Sequence, residues 1–158
     1  MVAGITSLVA ALEARDPYTM GHSEAVGKIV SGMLALSGAS KIEVEDGLLG
    51  GRLHDIGKIG IDENILNKPK ELTNSEWKII KKHSEIGYRI LSSLNEFSEI
   101  ADYVLEHHEK WDGSGYPKGK KGEAISIQAR IISIADAYDA MTRYRTYKNN
   151  LTKEEAII

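Results

Sequence analysis

Cysteine is absent from this chain, which excludes disulfides and thiolate metal sites and is compatible with a reducing cytoplasm. Neither sign of charge is in excess: 20 Lys and Arg stand against 23 Asp and Glu, for a formal net charge of −3. The basic residues are dispersed, so nothing points to a polyanion-binding surface, and no nucleic acid polymer is expected as a partner. No apolar run approaches the ~18 residues that a membrane span needs, and no signal-peptide pattern opens the chain. No membrane contact is therefore expected. Strand-period alternation is missing over any useful length, as are internal repeats and low-complexity tracts, so the fold class reads as all-α. Histidine is scarce too. The five present are His22, His54, His83 and the pair His107-His108. Each falls in a helical segment or at its mouth, and imidazole is a common ligand for iron, manganese and zinc.

What remains is an ordinary globular composition, 42% apolar and 27% charged over 158 residues. That is enough for one domain, taken as residues 1–158, to bury a real core. Both ends look cut. Val2, Ile5, Val9 and Leu12 already follow a helical spacing with no capping residue ahead of them. Thr152 and Glu155 form a capping-box pattern that should open a helix, yet the chain stops at Ile158. Short isolated helices are marginal in water, so a fragment of something longer is expected.

The apolar spacing predicts a helix over 2–15, ended by the Asp16-Pro17 step. A second runs from about Thr19 to Leu36, with Gly38 as its stop. A third covers about 42–56. Thr73-Asn74-Ser75-Glu76 is a capping box opening a helix over 73–81, another helix follows His83, and one more spans 97–109. Residues 110–123 form a loop rich in glycine and lysine, and the last long helix covers about 127–144.

Several of these helices carry a polar residue on their apolar face. His22, Val26, Ile29 and Met33 fall at i, i+4, i+7 and i+11. Ile100 and Val104 lead into His107-His108, and Ala129, Ile132, Asp136 and Ala140 share a stripe. An ionised Asp on a buried stripe is costly unless paired or metal-bound. Apart from Lys58, those faces supply little cationic partner. A shared metal centre satisfies them together, and imidazoles mixed with carboxylates suit iron(II), manganese or zinc. Each residue also has a plainer reading. His22 alone fits a satisfied core histidine, His54-Asp55 a helix-end pair, and His107-His108-Glu109 a solvated turn. Asp136 could pair with Arg130 or Arg143.

Glu13-Ala14-Arg15-Asp16-Pro17-Tyr18-Thr19, then Gly21-His22-Ser23, then Leu53-His54-Asp55-Ile56-Gly57-Lys58-Ile59-Gly60 resembles the opening of an HD-GYP domain. His107-His108-Glu109-Lys110-Trp111-Asp112-Gly113-Ser114-Gly115-Tyr116-Pro117 is similar to that family's signature segment. Ile134-Ala135-Asp136-Ala137-Tyr138-Asp139-Ala140-Met141 is similar to the segment carrying its last metal carboxylate. The resemblance implies an HD-type helical bundle with a glycine-rich Gly-Tyr-Pro loop, and a bacterial, cytoplasmic phosphodiesterase of cyclic di-GMP. It also implies a sensor or receiver domain in the full-length protein; homodimerisation is left open. By resemblance, His22, His54, Asp55, His83, His107, His108 and Asp136 hold two divalent metals, iron or manganese first, with zinc or nickel as alternatives. Asp55 would bridge the metals and Lys58 would approach the substrate phosphate. Arg145 and Lys148 match phosphate-contacting positions, and Gly115, Tyr116 and Pro117 would shape the pocket. Trp111 and Tyr116 are either stacking surfaces for guanine or anchors of the loop.

The chemistry required matches this inventory. Hydrolysis of a phosphodiester needs a nucleophile at neutral pH, which paired metals supply from a bridging water, and Lys58 would balance phosphoryl charge. The chain departs from the family at several places. Tyr18 stands where a glutamate serves a third metal, and a phenol is the poorer ligand; two metals and linear pGpG as product are therefore expected. Ile61-Asp62-Glu63, Ser84, and the glycines Gly47, Gly50 and Gly51 also differ, without removing a ligand. The glycines either admit close helix packing or soften the helix that carries His54. The competing reading is a catalytically weak module that binds cyclic di-GMP or a protein. Degenerate members of the family lose metal ligands, and this chain keeps them. A different HD-type reaction is disfavoured by the Gly-Tyr-Pro segment.

Overall fold

The computed structural model describes residues 2–16, 20–143, 151–152 and 155–157, and among these it is helical without strands. Eight α-helices follow in order: α1 Val2–Arg15, α2 His22–Leu36, α3 Lys41–Leu53, α4 Glu63–Leu66, α5 Asn74–Ile80, α6 His83–Ser92, α7 Ser98–Glu106 and α8 Ile127–Thr142. No helix is long and apolar enough to cross a membrane among the described residues.

Local chemistry explains most boundaries. Ser40 and Glu43 form a reciprocal capping box at α3, and Thr73 and Glu76 form the expected one at α5. Ser126 caps α8, its hydroxyl accepting from Ala129 N at 3.3 Å. The Thr152–Glu155 box also closes, with Thr152 N donating to Glu155 at 2.7 Å. Three helices fall three residues short, at one end, of what their apolar spacing predicts. α2 starts at His22 because Gly21 adopts a left-handed φ of 69° and donates its N–H to Glu13 at 2.9 Å, which holds Gly21 out of the helix. α3 stops at Leu53 instead of Ile56, and a 3-10 turn over Ile56–Gly60 takes over. α7 stops at Glu106, short of 109. The short α4, capped by Asp62 accepting from Asn64 N at 2.8 Å, has too few residues to show a period.

The core lies where α2, α3, α7 and α8 meet. Val26, Val30, Leu34, Leu53, Ile100, Val104 and Ile132 are each at most 2% exposed, and each such side chain is worth about 1.5–3 kcal/mol of burial. α2 and α3 pack along each other closely. A Cβ on Gly51 would come within 2.7 Å of Gly27 Cα, and one on Gly27 within 2.8 Å of the Leu48 carbonyl. The glycines of α3 therefore serve close packing. Gly57 does the same for the 3-10 turn: a Cβ there would reach 1.8 Å from the His83 carbonyl oxygen. That contact sets the turn directly on the start of α6, with His54-Asp55 on one side and His83 on the other. Arg15, at the end of α1, donates to the carbonyls of Ile59 and Ile61 and docks α1 on the same turn.

Candidate metal centre

Helix ends converge on one point. His22 opens α2, His54-Asp55 follow α3, His83 opens α6, and His107-His108 follow α7; only Asp136, on α8, comes from mid-helix. His54, His83 and His107 are each at most 2% exposed, and His22 is 4% exposed. Four rings have Nδ1 tied off: His54 to the Gly51 carbonyl at 2.7 Å, His83 to Ile80 at 2.8 Å, His107 to Val104 at 2.7 Å, and His22 to the Asp139 carboxylate at 2.7 Å. A carbonyl only accepts, so Nδ1 carries a proton in the first three, and their Nε2 atoms are turned to the centre.

The donor atoms form two sets. His83, His107 and His108 each bring one ligand atom within 4.8 Å of the others, and so do His22, His54 and Asp136. Asp55 stands between the two, Oδ1 3.5 Å from His83 Nε2 and Oδ2 3.5 Å from His54 Nε2. His22 Nε2 meets Asp136 Oδ1 at 3.2 Å, and the same oxygen is 3.9 Å from His54 Nε2. Lys58 Nζ binds Asp55 Oδ2 at 2.7 Å and Asp16 Oδ2 at 3.5 Å.

This donor set fits divalent cations on its own geometry. The buried His54 Nε2 has no hydrogen-bond partner among the described residues, a costly state for a polar atom unless something positive faces it. His83 Nε2 and His107 Nε2 lie 3.4 Å apart with two lone pairs opposed, and a shared cation relieves that repulsion. Protonation states agree for most of the set. Burial holds His107 well below the ordinary imidazole value and His83 below it, and takes His108 down to about 4. Burial works against ionisation of Asp55, yet the Lys58 ammonium and nearby imidazoles keep its carboxyl well below the usual carboxylate range. His22 differs: burial lowers it, but hydrogen bonds to Asp136 and Asp139 override that and leave it at about 9. It must shed a proton to serve as a ligand.

The centre opens into a cavity of about 430 Å³ whose polar floor includes His22, Asp55, Lys58, His83, His108 and Asp136. Tyr116 borders it, stacked on His108 with centroids 4.8 Å apart. Gly115 packs on the chain at 108–110, where a Cβ would meet Lys110 N at 2.4 Å. Pro117 follows through a cis peptide bond. Neither Gly115 nor Pro117 lines the cavity. Trp111 does not line it either; it lies under the Arg130 guanidinium, 5.4 Å away. Tyr18, Arg145 and Lys148 lie outside the described residues.

Two of the plainer readings fall away. Asp136 faces His22 and neither arginine; Arg143 instead binds Asp139 through Nε at 2.7 Å and the carbonyl of Gly21 at 2.9 Å. Glu109 is 5% exposed and accepts the backbone N–H groups of Lys118 and Lys120 at 2.7 and 2.9 Å. With Glu106, which accepts from Ser126 N at 2.9 Å and from Lys120, it clamps the Gly-Tyr-Pro loop. Sequence reasoning gave no site role to Asp139, Asp16 or Glu106, and read Glu109 only as part of a solvated turn. Asp139 had one usable signal, its place one helical turn after Asp136. Trp77, on the cavity wall with Leu66, Leu72 and Ile80, had none.

The chain matches the family described as "HD domain" over residues 7–158. It is 45% identical over 146 residues to a cyclic di-GMP phosphodiesterase of Thermotoga maritima, a match covering 91% of this chain and 40% of that protein. It is 38% identical over 156 residues to 3'3'-cGAMP-specific phosphodiesterase 3 of Vibrio cholerae, covering 97% of this chain and 33% of that one. The chain thus spans well under half the length of these curated relatives. Among solved structures, the HD domain of the L. monocytogenes phosphodiesterase PgpH matches with a TM-score of 0.67 at 20% identity, over 94% of this chain and 78% of that one, a likeness of fold.

Proposed function

Because the chain belongs to the HD domain family, we propose that it is a metal-dependent phosphodiesterase that hydrolyses cyclic di-GMP to linear pGpG. The observation that carries this reading is the pair of ligand sets, three histidines on one side and two histidines with Asp136 on the other, flanking the two oxygens of Asp55 at the floor of a cavity. His83, His107 and His108 would hold one divalent metal, His22, His54 and Asp136 the other, with Asp55 shared. Iron or manganese suits this mixture of imidazole and carboxylate, ahead of zinc or nickel. Such a pair supplies an activated water and charge neutralisation at the phosphate.

The protein's own groups do the rest. The Nδ1 bonds fix the direction of four of the five rings, which limits reorganisation when ligands bind. Lys58, its ammonium stabilised as the cation chiefly by Asp55 against the cost of burial, has three donors. Two face Asp55 and Asp16, and the third is directed to a phosphate oxygen. Arg145 and Lys148 are assigned to the same phosphates on sequence grounds. The single domain 1–158 is read as the catalytic part of a larger bacterial signalling protein in the cytoplasm, with a sensor or receiver domain and dimerisation as further proposals.

The 38% identity to a 3'3'-cGAMP-specific enzyme favours a second substrate reading, so both cyclic dinucleotides belong in the test. Protein reconstituted anaerobically with manganese or iron is assayed for metal content and for release of linear dinucleotide. Two metals per chain with turnover of cyclic di-GMP is the expected result. Preference for 3'3'-cGAMP moves the substrate, and metal without turnover of either leaves a binding module. Asp55→Asn should lower kcat by at least about 10³-fold, since it removes charge from the shared carboxylate; full activity in that variant sinks the bridging role.

A further inference from the structure

One wall of the cavity has no part in the chemistry above. Trp77, on α5, lines the cavity beside Leu66, Leu72 and Ile80, yet it is 49% exposed. The same side chain borders an adjoining hollow of about 640 Å³ whose other walls are Asn74, Lys78 and Lys81. Large aromatics left half in water at a cavity mouth bring apolar area and a π-face at little entropic cost. The other aromatic of the cavity is engaged. Tyr116 stacks on His108 at an interplanar angle of 24° and has the Lys81 ammonium 5.1 Å from its ring centroid. Trp111 borders neither hollow. Among the described residues, Trp77 is thus the aromatic left to meet a ligand.

A cyclic dinucleotide has two bases and two phosphates. With one phosphate at the Asp55 centre, the other half of the ligand needs a flat apolar surface and a cation nearby, and α5 offers both. We propose that Trp77 stacks a purine base of the substrate, with Lys78 and Lys81 drawing in the phosphate that does not react. This rests on the cyclic-dinucleotide reading above and names where the second half of that substrate sits. Stacking accepts any base because each has a π-face, so Trp77 supplies affinity, and discrimination between guanine and adenine lies elsewhere. The plainer account is that the indole shields Leu66 and Leu72 from water, in which case its loss changes stability and leaves substrate affinity alone.

Two readouts separate these accounts. Initial rates are measured on manganese-loaded wild type, Trp77→Ala, Trp77→Phe and Lys81→Gln with cyclic di-GMP. Stacking worth about 1–3 kcal/mol per base corresponds to a KM raised roughly tenfold or more in Trp77→Ala, with a much smaller change in kcat and recovery in Trp77→Phe. Lys81→Gln should raise KM less, and its deficit should fade at high salt. Separately, Trp111→Phe makes Trp77 the sole tryptophan, since the chain has two. Its fluorescence should be quenched saturably by cyclic di-GMP, with the wild-type KM preserved. An unchanged KM in Trp77→Ala together with no quenching overturns the subsite while leaving the phosphodiesterase reading intact. Quenching without turnover in the wild type keeps the subsite and removes the enzymatic reading. Neither quenching nor turnover removes both.

Discussion

Five imidazoles meet at the centre, and four of them commit Nδ1 to a partner outside it. Three of those partners are carbonyls within the preceding turn, so the local backbone aims the ring. His22 is the exception. Its Nδ1 meets a carboxylate from the far end of the chain, Asp139, which does the aiming at 2.7 Å. Asp139 is itself held by Arg143. Asp139→Asn keeps the shape and removes the charge. Its expected effect is a loss of metal affinity of about 10- to 100-fold, read by competition with a fluorescent chelator for manganese or zinc. Asp139→Glu should recover part of it, because the charge returns. Wild-type affinity in Asp139→Asn would mean that His22 is oriented by packing alone.

The elements show why some of this was legible in the sequence. Capping boxes are written in adjacent residues, so those at Thr73 and Thr152 closed as the sequence predicts. The stripes through Val26, Val104 and Ile132 are periodic, and these residues are buried. The early ends of α3 and α7 were not visible, because a side chain turning back on its own helix interrupts no period. Trp77 and Trp111 could not be told apart by composition; only the placement of α5 against the cavity separates them. α5 also carries a pH-dependent element. A hydrogen bond from the Lys68 ammonium, followed by those of Thr73, draws Glu76 down to about 2 from 4.5. With the folded value below the unfolded one, its contribution is present above pH 4.5 and is lost as pH falls through about 2. Glu76→Gln should therefore lower Tm at pH 7 by an amount that shrinks toward zero near pH 2. A constant difference across that range would place the effect in packing instead of charge.

Across the whole molecule, a dry apolar core and a polar centre stand back to back. α2, α3, α7 and α8 give their middles to the core and, α8 apart, their ends to the centre. The core residues stay packed whether or not a cation is present, so metal should add to a fold that already exists. That differs from small metal-dependent domains, which are unfolded without their ion. Chelated protein should keep its helical circular dichroism and melt cooperatively. Manganese at a free concentration of 100 times its Kd should then add about 2.7 kcal/mol. For a chain of this size that is a rise in Tm of roughly 5–10 °C. The rise should grow with the logarithm of metal concentration and reverse with chelator. Loss of helicity on chelation would make the centre part of the folding nucleus, and a Tm indifferent to metal would remove the case that these five histidines bind one. The opposed lone pairs of His83 and His107 at 3.4 Å argue for the predicted rise, since a cation placed there removes a repulsion that the metal-free fold must carry.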